Sequence, residues 1–253
     1  GKVGGYNKLI LPTAHETLQV SLDAIPRARD DVSAIALKIP LPVDTNNPLN
    51  IGHSQTVCIA ISQLLPRIIE LATHSHEQQM KITAGEILHG LVLYIVGLAA
   101  TDPSGRTATN SPYTCYYRKM FPSILSLAVS DELLCRELFS TLFFQLVRWF
   151  SGYNQVHTDD SQCMIECILD GLCIIPVDNG IRELCSNGLV EYVKWSIKQS
   201  TASQLRSTSA SSDSSISPIH TLISRLLVYC VHPTVSKRYG AAIVFRKVYK
   251  HIG

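Results

Sequence analysis

The chain has 253 residues, 46% of them hydrophobic, and a net charge of +2. That much apolar content in a chain of this length builds a large core and excludes a wholly disordered polymer. Near-neutral charge excludes a strongly electrostatic protein, although the charge is unevenly spread: no acid follows Asp213, while Arg225, Lys237, Arg238, Arg246, Lys247 and Lys250 all do.

Apolar residues recur at three- and four-residue spacing in runs separated by Pro, Ser, Asn and Asp, the signature of amphipathic helices. The pattern predicts about ten of them, near residues 8 to 24, 30 to 39, 54 to 73, 77 to 100, 113 to 129, 131 to 151, 160 to 174, 179 to 200, 218 to 231 and 235 to 251. Pro66 and Pro122 fall inside two of these runs, where a missing N–H predicts a kink or an early break. "AVSDELL" offers Ser130 or Asp131 as a helix cap, and "SISPIH" offers Ser217 as cap with Pro218 in the first turn. The longest apolar stretch, Gly90 to Ala100, is about half of what a bilayer crossing needs, so no membrane span is expected.

Residues 101–112 read as an exposed connector and the Ser-rich 200–217 as a flexible loop. Aligning Arg182 with Arg238 matches Cys185 to Ala241, Leu189 to Phe245, Tyr192 to Val248 and Val193 to Tyr249, and a proline, Pro176 or Pro233, precedes each helix. Removing the 17-residue insert 200–216 from the 56-residue offset leaves 39, close to the roughly 40-residue period of two-helix HEAT units. The expected fold is therefore an all-α, HEAT-like helical-repeat solenoid forming one segment over residues 1–253, with a closed bundle as the alternative.

No motif for chemistry stands out. "GKVGGYNK" lacks the strand–loop–helix setting of a phosphate loop, and the acids do not form a general acid–base pair. The eight cysteines include no CxxC pair; Cys163 and Cys167, with Cys173, Cys185 and His157 nearby, read as core thiols rather than a zinc site. His74 and His76 read as a helix end, and Trp149 and Trp195 as core aromatics before base-stacking platforms. On the last helix, Arg246, Lys247 and Lys250 share a face opposite Ala241, Phe245, Val248 and Ile252 and need only solvent. Lys237 and Arg238 are different, because cations are disfavoured in a first turn; neighbouring acids or a phosphate would have to hold them. Gly240 is expected where another helix approaches closely. All five cations remain candidates for a weak contact with DNA or an acidic partner.

Three stretches, residues 116–150 ("YYRKMFPSILSLAVSDELLCRELFSTLFFQLVRWF"), 168–199 ("ILDGLCIIPVDNGIRELCSNGLVEYVKWSIKQ") and 222–252 ("LISRLLVYCVHPTVSKRYGAAIVFRKVYKHI"), resemble in order the helical-repeat cradle of the DNA-repair branch of the phosphatidylinositol-3-kinase-related kinase family. The resemblance implies a nuclear Ser/Thr kinase that acts in double-strand break repair by non-homologous end joining, together with the Ku heterodimer and duplex DNA ends. It also implies that ATP and Mg bind in a kinase domain elsewhere in the parent chain, leaving this segment without catalytic, metal or cofactor residues and in contact with neighbouring repeats. That family favours Ser or Thr before Gln, which marks Ser203-Gln204 as an autophosphorylation candidate beside the pairs at 54, 62 and 161. A HEAT-like binding module of another assembly and a self-contained enzyme are the competing readings.

Overall fold

The computed structural model describes residues 19–20, 36–40, 56–102, 110–152, 156–175, 178–206 and 218–252. The chain is all-α in class, with eight helices among the described residues: α1 (Ile61–His74), α2 (Gln78–Thr101), α3 (Thr114–Ala128), α4 (Leu133–Phe150), α5 (Thr158–Leu172), α6 (Asn179–Arg206), α7 (Pro218–Cys230) and α8 (Val235–Ile252). From residue 61 onward the elements follow the predicted helices closely. Two compact units divide the chain, residues 1–102 and 103–253.

In the first unit the structure departs from expectation. Helices were predicted near 8 to 24, 30 to 39 and from 54, yet the described residues there are strands: β1 (Gln19–Val20), β2 (Ala36–Pro40) and β3 (Thr56–Ala60), joined antiparallel in that order. Leu37 stands opposite Ile59 and Ile39 opposite Val57. These runs are too short to separate the helical from the alternating period, and β-branched Ile39, Thr56, Val57 and Ile59 favour extended backbone. The strand β3 runs directly into α1, which packs on α2. By length and composition α2 could cross a membrane, but Leu91 to Gly97 are all buried within the protein, as in a helix that is apolar all round because it lies in a core.

Three helical hairpins, α3–α4, α5–α6 and α7–α8, make the second unit. First helices α3 and α5 touch, and second helices α4, α6 and α8 pack side by side in that order. Tyr117, Phe121 and Phe150 form one aromatic cluster, with Tyr117 stacked on Phe121 at 5.2 Å and Phe150 edge-on to both. The second helices approach closely where side-chain bulk is missing: a Cβ on Gly188 would lie 2.6 Å from the Phe143 ring, so α6 seats on α4 at that residue. Gly240 likewise faces the Leu172 carbonyl at the end of α5, as expected of a glycine at a close helix contact.

Neither proline breaks its helix. Pro66 and Pro122 lie within α1 and α3 at exposed positions, where the carbonyl each leaves without an N–H partner can be hydrated. At the start of α3 a buried carboxylate ties two hairpins together: Asp160 of α5 accepts hydrogen bonds from Ser111 at 2.8 Å and Thr114 at 2.6 Å. Burial pushes its pKa up against the opposing pull of those two hydroxyls.

Candidate functional site

The last carbonyls of a helix have no partner within it, and a cation placed there also meets the negative end of the helix dipole. In each hairpin turn of the second unit an arginine donates to a backbone carbonyl, which at the α5–α6 turn is the last carbonyl of a helix and at the other two belongs to the connecting turn. Arg136 Nη1 donates to Ser130 O at 3.2 Å, Arg182 Nε to Leu172 O at 3.2 Å, and Arg238 Nη1 to His232 O at 2.8 Å and Pro233 O at 2.6 Å. Every one of these arginines is the fourth residue of its second helix. Just before the helix, Ser130 Oγ, Asp178 Oδ1 and His232 Nδ1 each accept from a backbone N–H of the first turn or its approach. The sequence pairing of Arg182 with Arg238 thus extends back to Arg136. The Arg136 to Arg182 interval is 46 residues and the Arg182 to Arg238 interval 56, or 39 without the 17-residue insert, so no fixed sequence period displays the third copy.

This arrangement answers why two cations sit in the first turn of α8. Neither an acid at ion-pair distance nor a phosphate is needed: Arg238 bonds the carbonyls of the preceding turn, and the Lys237 ammonium lies over the Tyr229 ring at 5.0 Å. Lys247 was expected to need only solvent, and that expectation is corrected. Its Nζ donates to Glu183 at 2.5 Å and to Ser186 and Asn187 at 2.8 Å, fastening α8 to α6 and holding the Glu183 carboxyl below its usual range. Lys247 stands at the edge of the wheel that turns towards α6, a neighbour that a single-helix projection does not contain. Arg246 is exposed. Lys250 and Ser203 lie on helical backbone, the latter because α6 continues to Arg206, and their side chains fall outside the described residues. So do residues 103–109, 207–217 and the glycine cluster at the start of the chain.

Cys163 and Cys185 are buried, and burial raises the Cys163 thiol to about 11 and the Cys167 thiol to about 12, so both stay protonated at neutral pH. No group of three or more His, Cys, Asp or Glu side chains among the described residues is arranged to hold a metal. Trp195 is half-buried, with the Lys198 ammonium 4.7 Å and the Arg148 guanidinium 5.7 Å from its ring centre. His74 ends α1, its Nδ1 2.6 Å from Thr73 Oγ1. Two grooves flank α5 on its outer side, one against α3 and one against α7; Glu166 and Asp170 line both.

The three latched hairpins coincide with a stretch matched by a family model described as DNA-dependent protein kinase catalytic subunit, CC1/2, which covers residues 111–252, more than half of the chain. The chain belongs to the DNA-dependent protein kinase catalytic subunit family. Proteins of that name match it further: the one from Xenopus laevis is 32% identical over 257 aligned positions, covering 99% of this chain and 6% of its own length. The Mus musculus protein is 34% identical over 192 residues, 76% of this chain and 4% of its own, and that of Dictyostelium discoideum 29% identical over 250, or 99% and 5%. The chain therefore spans about one twentieth of the length of these DNA-dependent protein kinase catalytic subunits. Its three hairpins fit a place among neighbouring elements of such a chain.

Proposed function

We propose that this chain is a non-catalytic, HEAT-like solenoid segment of a nuclear Ser/Thr protein kinase that acts in double-strand break repair by non-homologous end joining. The observation that carries this reading is the threefold hairpin, with second helices stacked side by side and an arginine latch at the same helical position in each. Such a repeat works through shape and surface: each hairpin buries its apolar face on the next, and the latch fixes the turn between its helices. ATP and Mg then belong to the kinase domain elsewhere in the parent, and Ku and duplex DNA ends are partners of the assembled kinase. Within this reading, any weak, salt-sensitive DNA contact of α8 rests chiefly on exposed Arg246, since Lys237, Arg238 and Lys247 already have intramolecular partners. Ser203 remains the proposed autophosphorylation position.

The test uses the full-length parent kinase. A photoactivatable ATP analogue should label no residue of this segment, and Leu189→Asp, which breaks the stack at a fully buried position, should lower DNA-end-stimulated phosphorylation while leaving the KM for ATP unchanged. ATP labelling within residues 111–252 would overturn the reading. Arg246→Glu in the same protein should flatten the salt dependence of DNA binding slightly; an unchanged slope removes the DNA contact alone.

A further inference from the structure

The outer side of α5 carries two carboxylates, Glu166 and Asp170, one helical turn apart on a ridge between two grooves. The groove against α3 encloses about 450 Å³ between Pro122, Leu125, Ile174 and Ile181, and the groove against α7 about 360 Å³ beside Leu169 and Val228. Cavities of that size with mainly apolar walls suit organic ligands and side chains.

Charge along this ridge is unevenly met. Glu166 Oε1 is held by Gln162 Nε2 at 2.9 Å and faces Arg225 Nη2 at 3.3 Å. Asp170 makes no ion pair of that kind: among the described residues no cation stands at salt-bridge distance, and Lys237 acts on it from farther away while lying over Tyr229. Asp170 also sits in the last turn of α5, where the dipole is already negative, and burial together with Glu166 raises its pKa. The other charge in the α3 groove, Arg118, acts on Cys163 two turns back along α5. The groove is thus mainly apolar, with Arg118 and Glu166 on its walls, and exposed Asp170 at one end has no cation at salt-bridge distance among the described residues.

We propose that the α3–α5 groove receives a peptide segment of a partner protein that sets aliphatic side chains between Pro122 and Ile181 and a Lys or Arg against Asp170. The recognition is that of an amphipathic helix laid in a groove, anchored by apolar side chains and aligned by one charge pair. This inference rests on the scaffold reading, to which it adds the chemistry of a partner.

The probe is a fluorescein-labelled amphipathic helical peptide with Leu at i, i+3 and i+7 and one flanking Arg, titrated by fluorescence anisotropy into the full-length parent kinase beside its Arg→Gln and Arg→Glu twins. The Arg peptide should bind, and Asp170→Lys should weaken it about tenfold or more, as loss of one charge-assisted contact requires. Asp170→Asn should give a smaller loss in the same direction. Ser126→Trp, at an exposed position lining the groove, should block binding without touching either acid. Unchanged hydrogen exchange in α3 and α5 shows that the variants are folded. Equal binding of the Gln twin, which would make this a purely apolar surface, overturns the proposal. So does absence of binding, as when a remote segment of the parent occupies the groove, or indifference to both Asp170→Lys and Ser126→Trp. Any of these outcomes with DNA-stimulated kinase activity intact leaves the scaffold reading standing.

Discussion

Helices α6 and α8 hold the same place in their hairpins and share an arginine at their fourth position, yet equivalent residues meet different surroundings. Val193 on α6 is 1% exposed, while Tyr249, its counterpart on α8, is 78% exposed. Two inner pairs agree, Cys185 and Ala241 being fully buried and Tyr192 and Val248 nearly so, whereas Leu189 is fully buried and its counterpart Phe245 only partly. What differs is lateral company, because α6 lies between α4 and α8, whereas α8 has a second-helix neighbour among the described residues only in α6. Burial at the flanking pair therefore follows place in the stack, while the Cys185/Ala241 and Tyr192/Val248 positions are buried in both hairpins alike.

The sharpest way to break this comparison is a charge at the two equivalent positions in the full-length parent, read by hydrogen exchange of each helix. Val193→Asp should cost about 3–5 kcal/mol of local stability, the penalty for an uncompensated buried charge. Tyr249→Asp should stay within about 0.5 kcal/mol; a cost above about 2 kcal/mol would show that a segment outside residues 1–253 packs there. Next in size are the latches. Arg182 is 6% exposed and its loss leaves the Leu172 carbonyl without its donor, so Arg182→Met should cost about 1.5–3 kcal/mol. Arg238 is exposed, and Arg238→Met should cost no more than about 1 kcal/mol despite its two bonds. Equal losses would mean that the latch acts independently of burial.

The smallest effect concerns the tie between α6 and α8 themselves. Lys247→Met should cost under about 1 kcal/mol, because Glu183 is largely in solvent. It should also change the response to acid. The Lys247 hydrogen bond lowers the folded-state pKa of Glu183 below its usual 4.5, so the contribution of this pair is complete above that value and fades as pH falls through the depressed pKa. Exchange at the α6–α8 contact should accelerate in that acid window in the native chain and not in the variant.

Much of this was legible in the sequence where helices are long. Six of the expected helices lie within two residues of those observed, since each spans enough turns for its apolar period to stand out, and a seventh, expected to end near 200, runs on to Arg206 into the stretch read as a loop. The strands were missed because five residues do not distinguish two periods. Gly240 could be read from its own helix, as a gap in an apolar face. Lys247 and Arg238 could not, since their partners lie 60 or more residues away or on backbone carbonyls, groups that no side-chain pattern displays. The grooves beside α5 were equally invisible: Glu166 and Asp170 look like ordinary surface acids until α3 and α7 are laid on either side.

The arginine latches have one more consequence. Arg182 joins the close of α5 to the opening of α6, and Arg136 and Arg238 bond carbonyls of the connecting turns ahead of their own helices, so each corner is braced within a single turn of chain. In a stack of such units an angular change at one corner is not absorbed locally. It swings everything beyond it, and the displacement grows with the length of the arm.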